Sequence, residues 1–161
     1  ARQQGGPQWV ALRYSAVYGA RQHRRAVMGG HLHESCLRVR RGEPPVIDGD
    51  GRQVQDYIHV GDVARANLMA MESDLSGEGI NIVAGQDTSQ ARIVELVLKA
   101  AGSTLQPEYR PYVVTRLPPV TKIGLAREKA RRMLGWEPQV SIEEGVAAVL
   151  RWVDDQSARG G

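Results

Sequence analysis

Phenylalanine is absent from the 161 residues, and cysteine occurs once, as Cys36. A lone thiol excludes an internal disulfide and fits a reducing, cytoplasmic setting. Aromatic packing must come from three Trp and five Tyr. No apolar run approaches the ~20 residues that span a bilayer, and no signal-peptide pattern is visible, so no membrane partner is expected. No block of Lys and Arg is interleaved with aromatics. The formal charge of +3 comes mostly from Arg spread along the chain, so nucleic acid is not an expected partner either. No glycine-rich turn lies between a strand pattern and a helix pattern, the arrangement that lets backbone N–H groups approach a pyrophosphate. Gly29-Gly30 and Gly49-Asp50-Gly51 have the wrong surroundings for it.

What is present is enough for one ordinary domain with a real core. The chain is organised around residues 49–67. A Gly-Asp-Gly turn opens them, where glycine supplies positive φ without strain. Gln55 to Val60 reads as a strand, with Tyr57, Ile58 and Val60 suited to a half-buried pleated surface. Asp62 falls in the first turn of a following helix, at the positive end of its dipole. Val63, Ala64, Ala66, Leu68, Met69, Ala70 and Met71 make that helix apolar on most sides, which predicts burial.

Around this centre the pattern alternates strand and helix. Ala1 to Gln8 reads as a loop. Trp9 to Tyr14 is a compact apolar run suited to a strand buried on both faces, and Ser15 to Gln22 reads as the loop at its carboxyl end, where open α/β sheets bind ligands. A helix is expected within residues 24–42, starting near His31. His31 and His33 would point about 200° apart on it and cannot share an ion, while His33 and Cys36 are too few for a zinc site. The helix reads as solvated or lid-like. Pro44-Pro45 ends it, and Val46-Ile47-Asp48 is a short strand. Ile80 to Ala84 is a second core strand, followed by a helix capped by Thr88 or Ser89 and ended by Gly102. Residues 106–120 are Pro-rich and extended. A short helix over 127–134 ends at Gly135, and Trp136 is a core anchor. Ser141 and Glu144 form a capping box for the last helix, which should fray from Asp154.

Three of these stretches together resemble the extended short-chain dehydrogenase/reductases, the NAD-dependent nucleotide-sugar epimerases and dehydratases. Gly49-Asp50-Gly51 through Asp62-Val63-Ala64 is similar to their substrate-domain signature, with Gln55 where the pattern has arginine. Leu12-Arg13-Tyr14-Ser15-Ala16-Val17-Tyr18-Gly19 resembles their Leu-Arg-Tyr-Phe-Asn-Val-Tyr-Gly segment. Leu134-Gly135-Trp136-Glu137-Pro138 resembles their Leu-Gly-Trp-x-Pro.

The resemblance implies a Rossmann-like doubly wound parallel α/β sheet plus a small α/β substrate-binding part, of which this chain would be the C-terminal portion, a single partial domain over 1–161. Residues 9–22 and 80–102 would belong to the sheet core, and 23–72 and 103–157 to the substrate-binding part. Tyr14 would lie beside the nicotinamide of NAD. Ser15 and Ala16 would line the nucleotide-sugar, although alanine lacks the donor that the family's asparagine offers a phosphate. Val46 and Asp48 would lie along the base. Gln55 would stand at a phosphate-holding position. Arg110-Pro111 matches the start of an Arg-Pro-Gly-Asp segment whose arginine grips the diphosphate, though Tyr112 and Val113 replace the Gly-Asp, and a merely solvated arginine is an equal reading.

The family's catalytic Tyr-x-x-x-Lys pair has no counterpart, because no Tyr here has Lys four residues on. The chain by itself is therefore expected to be inactive, with NAD bound mainly by a missing N-terminal half. Strands apolar on both faces call for such a half, or for an oligomer partner, to cover them. A non-catalytic ligand-binding or interaction module built on the same fold is the alternative.

Overall fold

In a computed structural model, which describes residues 8–22, 30–111 and 120–159, short parallel pairings hold distant parts of the chain together. The strands are β1 (Val10–Tyr14), β2 (Ala16–Tyr18), β3 (Val46–Asp48), β4 (Val54–His59), β5 (Glu78–Ile82), β6 (Asp87–Ser89) and β7 (Glu108–Arg110); the helices are α1 (Gly30–Arg40), α2 (Val60–Met71), α3 (Gln90–Ala101), α4 (Glu128–Leu134) and α5 (Ile142–Arg159). β1 pairs in parallel with β5, setting Leu12 opposite Ile80 and Tyr14 opposite Ile82. β4 lies between β2, parallel, and β6, antiparallel. β3 and β7 pair in parallel. This is the α/β class with parallel pairing that the sequence implies.

Two apolar clusters fill the molecule. In one, α1, α3 and α5 pack Leu32, Cys36, Ile93, Val97, Val149 and Leu150 around Ala16, Tyr18 and Tyr57. In the other, Ile58, Val63, Ala66, Ile80, Ile82, Ala130 and Trp136 join β5 to α2 and α4. Each fully buried aliphatic side chain stabilises by about 1.5–3 kcal/mol. α3 packs with α1 and α5, and α2 packs beside β5.

Other local readings need correction. The stretch after Tyr14 is not all loop: Ala16 and Tyr18 turn inward as β2 and lose nearly all exposure. α1 is a core helix rather than a solvated one, with Leu32, His33, Ser35, Cys36 and Val39 buried. α2 is less buried than its composition suggests. Its Val63 and Ala66 are covered, while Leu68 is 58% and Met71 82% exposed. β1 is likewise open, with Trp9 and Tyr14 exposed beside it, whereas β5 buries Ile80 and Ile82. α5 runs to Arg159 instead of fraying at Asp154; Arg40 of α1 forms a 2.7 Å ion pair with Asp154 on the way.

The Asp62 carboxylate acts as a clamp. Asp62, 2% exposed, accepts the N–H groups of Gln139 (3.0 Å) and Val140 (3.1 Å) and pairs with Arg65. Trp136 is fully buried, and its Nε1 donates 3.0 Å to the Asp62 carbonyl. The capping box at Ser141 and Glu144 forms as expected, and Ser89, not Thr88, caps α3.

Candidate functional site

β3 is placed by punctuation on both sides. Gly42 (φ 72°) closes α1, Pro44-Pro45 bars its continuation, and Gly49 and Gly51 turn the chain with φ of 64° and 72°. Gly51 is required twice over: a Cβ there would lie 2.7 Å from Ile47 Cγ2. The parallel register with β7 then sets Asp48 opposite Arg110. α1 closes the same space with His31, Ser35 and Arg38, and the result is a cavity of about 230 Å³ that also contains Val46. Val46 and Asp48 of one segment and Arg110 of another, all singled out from the sequence, are thus brought together.

Charge in this cavity is balanced. Arg110 donates Nε to Glu108 Oε1 at 3.0 Å and a second nitrogen to Oε2 at 3.0 Å. That fork holds the Glu108 carboxyl below its usual range and raises the guanidinium further. The Arg110 side chain keeps 50% exposure, so an incoming phosphate can compete with Glu108 for it. His31 Nδ1 sits 3.9 Å from Asp48 Oδ2. Residues 112–119, including the Tyr112 and Val113 replacements, lie outside the described residues.

The other predicted residues are arranged differently. Tyr14 ends β1 and donates its hydroxyl to Asn67 Oδ1 at 3.0 Å. With Trp9, Leu12, Met71 and Leu75 it lines an open cavity of about 380 Å³. Ser15 donates to Asp56 Oδ1 at 2.5 Å, so its hydroxyl is already engaged. Ala16 is 1% exposed and packs in the helix cluster, so its side chain is not on the surface of this chain. Gln55 is half-buried in β4, opposite Thr88 of β6, and lines neither cavity.

Several organising residues escaped the sequence reading. Asp56, 2% exposed, accepts from Ser15, from Ala84 N–H (2.8 Å), from Gly85 N–H (2.6 Å) and from Gln86 N–H (3.0 Å). It thereby fixes the loop after β5 to the end of β1. Gln90, 3% exposed, bonds to β3 from the start of α3. A polar residue on the apolar side of a helix was the available signal in its case. His33 is buried against Trp152, ring centroids 5.5 Å apart. Among the described residues no three His, Cys, Asp or Glu are grouped to hold a metal ion, and no helix is long and apolar enough to cross a membrane.

The fold matches that of Rossmann-like α/β proteins. The model of the NAD dependent epimerase/dehydratase family matches residues 1–84, more than half of the chain, and the chain belongs to that family. A UDP-glucose 4-epimerase of Mycolicibacterium smegmatis is 32% identical over 143 residues, covering 88% of this chain and 44% of the relative. Among solved structures, the UDP-glucose 4-epimerase of Thermotoga maritima with UDP-glucose superposes with a TM-score of 0.81 at 38% identity, over 93% of this chain and 47% of that one. The UDP-glucose 4-epimerase of Thermus thermophilus in complex with NAD gives 0.79 at 30% identity, over 91% and 47%. The chain spans about half the length of the relatives it matches.

Proposed function

We propose that the chain is the substrate-gripping, C-terminal portion of an NAD-dependent nucleotide-sugar epimerase or dehydratase, and that it turns nothing over by itself. The observation that carries this reading is the convergence of Val46, Asp48 and Arg110 on one cavity through the β3–β7 register. In it, the base of a nucleotide-sugar lies along Val46 and Asp48, and Arg110 exchanges Glu108 for the diphosphate. Ser15 is held by Asp56 at the carboxyl end of β1, where the sugar would reach. Gln55 and Ala16 act behind this surface rather than on it.

NAD would supply reversible hydride transfer. This chain's contribution to it is Tyr14, a residue 44% exposed whose hydroxyl is held by the Asn67 hydrogen bond. That fits the flank of a cofactor whose phosphates are cradled elsewhere, since no glycine-rich turn for them occurs in the sequence. The proton-transfer pair would come from outside these residues, on a portion whose docking would cover Trp9, Leu68 and Met71.

The direct test mixes the purified chain with NAD and a nucleotide-sugar and follows cofactor reduction and epimer formation. No turnover is expected; sustained turnover by this chain alone would overturn the division of labour.

A second reading, a non-catalytic binding or interaction module, is favoured by Ala16 and Gln55, neither of which presents a phosphate donor to the cavity. Calorimetry with UDP- and TDP-sugars separates the two. Micromolar binding supports a substrate pocket, and absence of binding by any nucleotide supports the interaction module.

A further inference from the structure

Gln90 is the first residue of α3, yet its side chain bonds to β3 instead of water. Its Oε1 accepts the Asp48 N–H at 3.1 Å and also a proton of Gln53 Nε2. Its Nε2 donates to the Val46 carbonyl at 3.3 Å and lies 3.2 Å from His31 Nδ1. In a strand, the C=O of one residue and the N–H of the residue two further on point to the same edge. The opposite edge of β3 is taken by β7: Glu108 N–H donates to the Pro45 carbonyl at 2.9 Å, and Gly49 N–H to the Arg110 carbonyl at 2.7 Å. The Val46 carbonyl and Asp48 N–H are therefore the remaining edge, an acceptor beside a donor. Gln90 fills it with the complementary pair of a carboxamide. The imide of uracil offers the same pair, a carbonyl oxygen next to an N–H.

We propose that the Gln90 side chain occupies the edge of β3 with which a pyrimidine base pairs, so that nucleotide binding must displace it. This rests on the reading of β3 as the strand that lies along the base. The surroundings permit the exchange. The cavity beside Val46 and Asp48 is about 230 Å³, and His31, which lines it, also touches Gln90. Gln53 keeps a separate bond to the Asp48 carbonyl at 3.0 Å, so β3 stays tethered when Gln90 leaves. The α3 cap does not depend on Gln90 either, since Ser89 Oγ accepts the Arg92 N–H at 3.1 Å.

The test is a calorimetric titration of UDP into the full chain and into its Gln90→Ala and Gln90→Met variants, with amide spectra of the unmutated chain recorded alongside. Loss of the competing side chain should tighten UDP binding about tenfold in both variants. In the unmutated chain the Gln90 carboxamide protons should shift and exchange faster as UDP is added. UDP binding to the unmutated chain with the Gln90 carboxamide signals unmoved, and to the variants equally or more weakly, would overturn the displacement while leaving the nucleotide reading standing. The absence of UDP binding to all three proteins would instead overturn the nucleotide reading, and the displacement with it.

Discussion

Replacing Asp56 by alanine should be among the most damaging single changes in this chain. Its carboxylate accepts four hydrogen bonds, from Ser15 Oγ and from the N–H groups of Ala84, Gly85 and Gln86, while only 2% of the residue is exposed. A hydrogen bond to a charged group contributes about 1.5–3 kcal/mol net. Gly85 and Gln86 are exposed, so their released N–H groups can turn to water, and the loss is nearer two bonds than four. That sets the cost of Asp56→Ala at about 4 kcal/mol, a large part of the ~5–15 kcal/mol that holds a domain together. Asp56→Asn keeps one acceptor oxygen but faces an N–H group with an NH₂, and should cost about 2 kcal/mol. Urea unfolding followed by circular dichroism reads both, as a lowered midpoint with an unchanged slope. A loss below about 1 kcal/mol for Asp56→Ala would refute the claim that this carboxylate anchors the loop after β5.

Three further perturbations have defined outcomes. A Cβ at Gly145 would run into the Tyr18 hydroxyl, so Gly145→Ala should destabilise by about 1–2 kcal/mol despite alanine's better helix propensity, and its melting temperature should fall. Burial holds the His59 imidazole below its ordinary value, against the pull of Asp62, and its Nδ1 accepts the Gly61 N–H that opens α2. The unfolded chain then takes the proton first, so this stability is complete above about pH 6.5 and is lost as pH falls from there; His59→Asn, which can still cap the helix, should flatten that part of the denaturation curve. Burial also pushes the Cys36 thiol up to about 12, so a thiol reagent at about pH 8 should label it only as fast as the chain unfolds.

How far the sequence could be read depended on whether the signal was local. The Gly-Asp-Gly turn, the Ser141–Glu144 box and the glycines ending α3 and α4 act within a few residues of themselves, and each was legible. The β3–β7 cavity was legible only through resemblance, because the two strands are brought side by side by a pairing between segments far apart in the chain. β2 was missed because a three-residue strand between Ser15 and Gly19 has no room to show a period. The inward turn of Ala16 follows from that strand, and the sequence could not reveal it. The apolar composition of α2 does not translate into burial, because Leu68 and Met71 face outward beside β1. The roles of Asp56 and Gln90 were harder to see for a different reason: their partners lie in distant segments, and several of them are backbone groups.

A nucleotide held as proposed touches this chain at β3 and β7. Titrating UDP into the isotopically labelled protein should move the backbone amides of Ile47, Asp48 and Arg110, leaving those of Trp9, Tyr14 and Met71 unchanged. Shifts confined to the Trp9–Met71 face, with β3 and β7 silent, would contradict it.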